Sequence, residues 1–328
     1  MDNANRSPVK TIEKISFKEI LRKYNTIITL ALVLMIAAAT TGGKFFNISN
    51  VLTVIERASL IGIVALGQGL VILMGSIDLS VNAVMNISFV SLAALSHAGT
   101  MPYSSSIPIA FAMSILIGLF NGILIIKTRV PAWIITLSSM MMVDAITLTW
   151  AGVIHIRFPG LQEFINGTFG MTVATSRYFT GILWILLGCV FAVILAKTRF
   201  GLNMSFIGGG RRAAYLSGIN IGFTQVAVYV ISAVMACLAG ILLAYRAGSL
   251  NPNSAGPYQL YSIAAVVLGG AKINGGEGSA FGAFFGAFIL AILSNVLNIL
   301  QVDIFIQNAI MGALLILIVA LTTVLKKK

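Results

Sequence analysis

Apolar residues fall in ten runs, at about 25–41, 56–74, 79–98, 107–126, 131–152, 180–196, 224–246, 258–271, 279–300 and 304–325. Most are close to the ~20 residues with which an α-helix crosses a bilayer's hydrocarbon core. The first run is short and the eighth is interrupted by glycine. The longest pieces between runs are 153–179 and 197–223, neither large enough for a soluble domain of its own. The pattern predicts an all-α, polytopic membrane protein with about ten transmembrane helices. A single membrane domain would occupy 25–325, between a basic tail at 1–24 and a basic end at 326–328.

Composition agrees. The 328 residues are 58% hydrophobic and only 9% charged, with a mean hydropathy of +1.00. Soluble domains carry roughly 25% charged residues, so too little polar surface is available for a water-facing globule. The same figures exclude a disordered chain, which needs low hydrophobicity. Cys189 and Cys237 lie inside apolar runs and read as small hydrophobes rather than a disulfide or metal framework.

The formal charge of +12 would suggest nucleic-acid binding in a soluble chain. Here it reports orientation instead, because Lys and Arg collect in cytoplasmic loops. With the tail (Arg6, Lys10, Lys14, Lys18, Arg22, Lys23) inside, alternation of ten spans also places Lys127, Arg129, Lys197, Arg199, Arg211, Arg212, Lys272 and Lys326–Lys328 inside, 16 of 21 basic residues. Lys44, Arg57, Arg157, Arg177 and Arg246 fall on or near the other side. The expectation is an inner-membrane protein with both termini cytoplasmic and no nucleic-acid partner. Lys10, Lys14, Lys18 and Arg22 recur every four residues, which suits an interfacial helix on an anionic leaflet or equally a solvated tail that fixes orientation. Ala37-Ala38-Ala39 faintly resembles a signal-peptidase site, but the basic region before it is too long, and the first span reads as retained.

No phosphate-binding loop, zinc-protease motif or Cys/His cluster is present, so no catalytic residue, metal or cofactor is expected on this chain. His97 and His155 read as interface residues. Among the acids, Asp78 falls near an inner end, Glu56 beside Arg57 near an outer end, and only Asp144 in the middle of a span. An intramembrane carboxylate is costly and marks function, so Asp144 raises the alternative of an ion-coupled secondary transporter; a non-transporting scaffold is a third class. The spans are rich in small and neutral-polar residues, including Gly67, Gly69, Asn82, Ser88, Gly118, Gly122 and Ser294. These serve helix packing or a path for a polar, uncharged solute, for which Gln68, Asn86, Asn121, Asp144, Asn295 and Asn298 are candidates. Two predicted cytoplasmic hairpins look alike, VILMGSIDLSVNAV (Val71–Val84) and VVLGGAKINGGEGSAFGA (Val266–Ala283). Spans two to five and seven to ten therefore read as related halves, an arrangement common in transporters.

GSIDLSV at Gly75–Val81, with Asp78, Leu79 and Ser80 at its centre, resembles the GGIDLSVG motif of permease subunits of bacterial ABC sugar importers, of the ribose, xylose, galactose and autoinducer-2 type. Three further stretches agree in order: GLFNGILI with VPAWIITL, Ser217–Ser249, and Tyr258–Ala287. The likeness runs from about residue 50 to the C-terminus, and extends more distantly to branched-chain amino-acid permeases. It implies a homo- or heterodimer of permeases, a periplasmic sugar-binding protein, and a cytoplasmic ATPase subunit that uses ATP and magnesium to drive alternating access. In that family the inner loop carries a short coupling helix, typically GGNEEAARLSGI. Here the segment has Gly210, Arg211, Arg212, Ala213, Ala214, Tyr215, Leu216, Ser217 and Gly218. Asn-Glu-Glu has become Gly-Arg-Arg, and the usual Arg has become Tyr215. Ser76 and Asn82 likewise replace usual glycines. Two arginines at a helix start oppose its dipole, so the resemblance implies either an acidic docking groove on the ATPase or altered coupling.

Overall fold

The computed structural model describes residues 25–96, 100–152 and 155–324. The basic tail with its four-residue repeat, His97 and Lys326–Lys328 lie outside the described residues. Thirteen α-helices account for the fold: α1 (Asn25–Thr41), α2 (Ile48–Leu73), α3 (Val81–Ser96), α4 (Tyr103–Thr128), α5 (Ala132–Ala151), α6 (Leu161–Phe169), α7 (Val173–Lys197), α8 (Arg199–Gly209), α9 (Arg211–Leu216), α10 (Ile221–Ala247), α11 (Tyr258–Leu268), α12 (Ala280–Ile299) and α13 (Ile304–Val324). Each of the ten apolar runs is a helix. Six of them, α2, α4, α5, α7, α10 and α12, are long and apolar enough to cross a membrane.

The boundaries that differ do so for local reasons. The second helix starts at Ile48, well before the apolar run, because the Asn47 side chain accepts from Ser49 N and caps it. Its polar first turns hid this start and left Arg57 several turns inside the helix. The predicted inner loop at 197–223 is largely helical: Thr198 caps α8 through Gly201 N, and α9 follows between Gly210 and Gly218.

Two helices form the centre. From Ala58 to Leu73 every residue of α2 except Gly69 is buried, and so is every residue of α3 from Val81 to Leu92. Long α10 packs against both and most extensively against α4, while α12 closes the bundle against α2 and α11. Backbone proximity explains the small residues in these spans. A Cβ at Gly118 or Gly122 would lie 2.8 Å from α10 backbone at Tyr229 or Val226, and one at Gly240 would lie 2.6 Å from the Met85 carbonyl. These glycines serve packing, as close approach of membrane helices demands. By contrast, α4, α5 and α7 turn Leu116, Phe120, Met141, Ile146, Leu186 and Val193 outward.

The bundle has two distinct ends. At one, the loop after α2, the α4–α5 turn, α8, α9 and the 269–279 hairpin converge. At the other, a two-stranded sheet pairs Ile156 with Leu250 and Arg157 with Ser249, and Tyr103 donates to the Pro159 carbonyl (3.0 Å).

Candidate functional site

The Gly75–Ser80 loop is the most heavily bonded polar element of the bundle. Gly75 ends α2 at φ +73, a left-handed backbone that glycine adopts freely. Asp78, 1% exposed, turns its carboxylate back on its own loop: Oδ1 accepts from Ser80 N (2.9 Å) and Ser80 Oγ (2.6 Å). Oδ2 accepts from Ser232 Oγ of α10 (3.0 Å). Leu79 N donates to Thr136 Oγ1 of α5 (3.1 Å), and Asn121 of α4 donates to Ser80 Oγ (2.9 Å). The Gln68 amide of α2 pairs with the backbone carbonyl and N–H of Asp78 (3.2 and 3.3 Å). Four helices thus grip one short loop. Two candidate pathway residues, Gln68 and Asn121, are engaged in holding it.

The two hairpins recognised as alike in sequence are neighbours in space. A Cβ at Gly75 would lie 3.0 Å from the Asn274 carbonyl, and one at Gly275 2.5 Å from Gly75 N. Gly276 N donates to the Leu73 carbonyl (2.9 Å). A Cβ at Gly208, near the end of α8, would run into that same carbonyl and into Gly276 N. Only backbone without side chains fits this three-way junction, and α9 begins three residues later. Of α9, Ala214 is buried while Tyr215 and Leu216 are 72% and 77% exposed. Ser217 Oγ donates to the Ala213 carbonyl (3.0 Å). Arg211 is tied to the Gln225 side-chain oxygen of α10, and Arg212 is exposed. Lys272 and Glu277 pair across the second hairpin.

A second polar cluster lies inside the bundle. Asn86 Oδ1 accepts from Ala255 N (3.1 Å), and its Nδ2 donates to Asn253 Oδ1 (3.3 Å) and to Asp144 Oδ1 (3.4 Å). Ala255 is fully buried, so the non-helical segment 251–257 enters the bundle and meets α3 there. Irregular backbone at such depth is tolerated where protein or a water-lined path satisfies it. Asp144 is half-buried and has no ion-pair partner among the described residues.

The remaining candidates sit toward the sheet end. Asn295 and Asn50 exchange amide hydrogen bonds (2.9 and 3.0 Å). Arg57 donates to Ser294 Oγ (2.7 Å) and reaches the Asn298 amide oxygen at 2.7 and 2.9 Å. Next to it, Glu56 pairs with Arg246 (3.3 Å) and Arg177 (3.8 Å). The six residues grouped as one path therefore divide into three places, and only Asn86 with Asp144 meet directly. Sequence reasoning missed Ser232, Thr136, Asn50 and Asn253. Only the last carried a signal, since NPNSAGP between two helices is a turn-forming run.

No solved structure matches this chain. The ribose import permease protein of Haemophilus influenzae is 33% identical over 299 residues, covering 89% of this chain and 90% of that protein. The D-allose transport system permease protein of Escherichia coli K12 is 30% identical, covering 93% of each chain. The fructose import permease protein of Rhizobium meliloti is 30% identical, covering 92% of this chain and 85% of the relative. Residues 47–319 match the family described as branched-chain amino acid transport system / permease component, a stretch that holds the motif loop, both hairpins and the Asn86 cluster, and the chain belongs to that family.

Proposed function

We propose that this chain is the membrane-spanning permease subunit of an ATP-driven importer that moves a monosaccharide, or a similar small polar neutral solute, by alternating access. The named roles of its relatives in ribose, allose and fructose transport support the solute class. The single observation that carries the mechanism is the junction beneath α9. A six-residue helix with two outward-facing apolar side chains follows directly on the glycine contact between the two hairpins. Force applied to α9 by a docked ATPase therefore reaches both hairpins, and through Asp78 and Ser232 the long α10.

In this reading α9 and its flanks, Gly210 to Gly218, dock on the ATPase subunit, which binds ATP and magnesium; this chain itself catalyses nothing. A periplasmic sugar-binding protein delivers solute to the sheet end, and a second permease copy or paralogue completes the membrane unit. Ten crossings put both termini on the ATPase side of the inner membrane, with 16 of 21 basic residues there. Asn86 and Asp144 line the solute path. Among the described residues Asp144 bonds the Asn86 amide and is in no ion pair, and the sugar-permease relatives favour the ATP-driven reading over an ion-coupled one.

The test is Arg211→Glu with Arg212→Glu, reconstituted in liposomes with the ATPase and binding protein. The expected result is retained ATP hydrolysis with sugar uptake lowered tenfold or more. Unchanged uptake would remove α9 from coupling.

A further inference from the structure

Beside α9 the motif end opens into a cavity of about 1000 Å³ that neither the coupling helix nor the Asn86 cluster explains. Its walls are the α4–α5 turn, the motif loop, the second hairpin and the start of α10. Arg129 and Arg211 both line it, together with Ser76, Asn220 and Asn274, and Trp133 stands at its edge. No Asp or Glu lines it. The ion pairs among the described residues engage Arg177, Arg246 and Lys272 instead, so two arginines without an ion-pair partner among the described residues line one cavity.

Arg129 is also held in a left-handed conformation, φ +59, which costs a residue with a side chain roughly 1–2 kcal/mol. Strain of this kind concentrates where a structure fixes a functional side chain. Here the turn into Pro131 and α5 sets the Arg129 backbone, and with it the Cα–Cβ direction, at the cavity wall. Arg211 is fixed from the other side by the Gln225 contact. Two arginines on the walls of one cavity suit phosphate oxygens, which Arg binds in bidentate fashion. The Ser76 hydroxyl and the Asn220 and Asn274 amides would suit hydroxyl groups. The volume is at the upper end of the ~300–1,000 Å³ usual for small-molecule sites.

We propose that this cavity binds a phosphate-bearing anion between Arg129 and Arg211. Two sources share that chemistry: a soluble sugar phosphate, and the headgroup of an anionic phospholipid whose chains would lie along Ile125 and Ile126. Either ligand ties α9 to the α4–α5 turn, so occupancy restrains the helix that the transport reading assigns to the ATPase. The binding itself does not depend on that reading and is measured on the full chain without partner subunits.

For the soluble arm, glucose 6-phosphate is titrated against glucose plus potassium chloride at equal ionic strength, with tryptophan fluorescence and thermal unfolding as readouts. For the lipid arm, nanodiscs containing phosphatidylglycerol are compared with phosphatidylcholine nanodiscs, and retained lipid is counted by native mass spectrometry. A saturable response in one arm supports the site and identifies the source. Arg129→Gln and Arg211→Gln are each expected to weaken it tenfold or more. Arg199→Gln, an exposed charge on α8 that does not line the cavity, should leave it within twofold. Absence of a saturable response by the wild-type chain in both arms overturns the proposal, as does an equal loss in Arg199→Gln.

Discussion

Replacing Asp78 with alanine removes the acceptor of three hydrogen bonds, two from Ser80 and one from Ser232. The loop they stabilise is further held through Leu79 N, Asn121 and Gln68, by the Thr136 hydroxyl on the Ile77 carbonyl and by backbone bonds at its two ends. Side-chain hydrogen bonds between membrane helices are worth about 0.6 kcal/mol on average and up to about 1.7. The Ser232 bond falls in that range, and the two bonds to Ser80 within the loop add about 0.5–1.5 kcal/mol each, with the Ser80 N–H left buried, so the total is about 2–5 kcal/mol. At the middle of that range the folding equilibrium moves roughly three hundredfold. Asp78→Asn separates geometry from charge. Its oxygen can still accept both Ser80 bonds and its NH₂ can donate to the Ser232 hydroxyl, so the cost is expected below about 1 kcal/mol. The assay is reversible unfolding in mixed detergent–SDS micelles followed by circular dichroism. If Asp78→Asn destabilises as much as Asp78→Ala, the carboxylate acts through its charge, and the hydrogen-bonded staple is refuted. A cost under 0.5 kcal/mol for Asp78→Ala would refute it equally.

At the glycine junction, Gly208→Ala drives a Cβ into the Leu73 carbonyl and should cost about 1–3 kcal/mol, the range for overpacking. Gly209→Ala meets nothing within 4 Å and is expected to match wild type in the same unfolding assay. For the solute path, Asn86→Ala or Asp144→Asn should raise the apparent KM for sugar uptake in the reconstituted complex several-fold while basal ATP hydrolysis is retained; an unchanged KM in both variants would remove them from the path.

The ten helices were legible because a bilayer imposes one requirement, continuous apolar length, that hydropathy reads directly. The motif loop was legible through resemblance, and α9 through resemblance together with the glycines that bound GRRAAYLSG in the longest inner connector. Misreadings came where polar residues open a helix. Ser49, Asn50 and Thr53 lower the local hydropathy, so the apolar run begins at residue 56, whereas the helix begins eight residues earlier at Ile48, capped by Asn47. The apolar run thus puts Arg57 at a membrane edge, and its bonds to Ser294 and Asn298 leave no trace in that pattern.

What the chain determines by itself is the number and order of its apolar segments and the bias of its charge, because each depends on local composition. Tertiary structure alone decided what the polar residues between them do. Gln68, Asn121 and Asp78 look alike in sequence to Asn86 and Asp144, as amides and acids in apolar surroundings. The first three gather on one loop, Gln68 on the Asp78 backbone and Asn121 on Ser80; Asn86 instead bonds Asp144 and reaches Asn253 and Ala255, 167 and 169 residues further along the chain. Hydrogen bonding is directional and short-ranged, so these roles follow from which helices are brought within about 3 Å, and no periodicity along the chain encodes that.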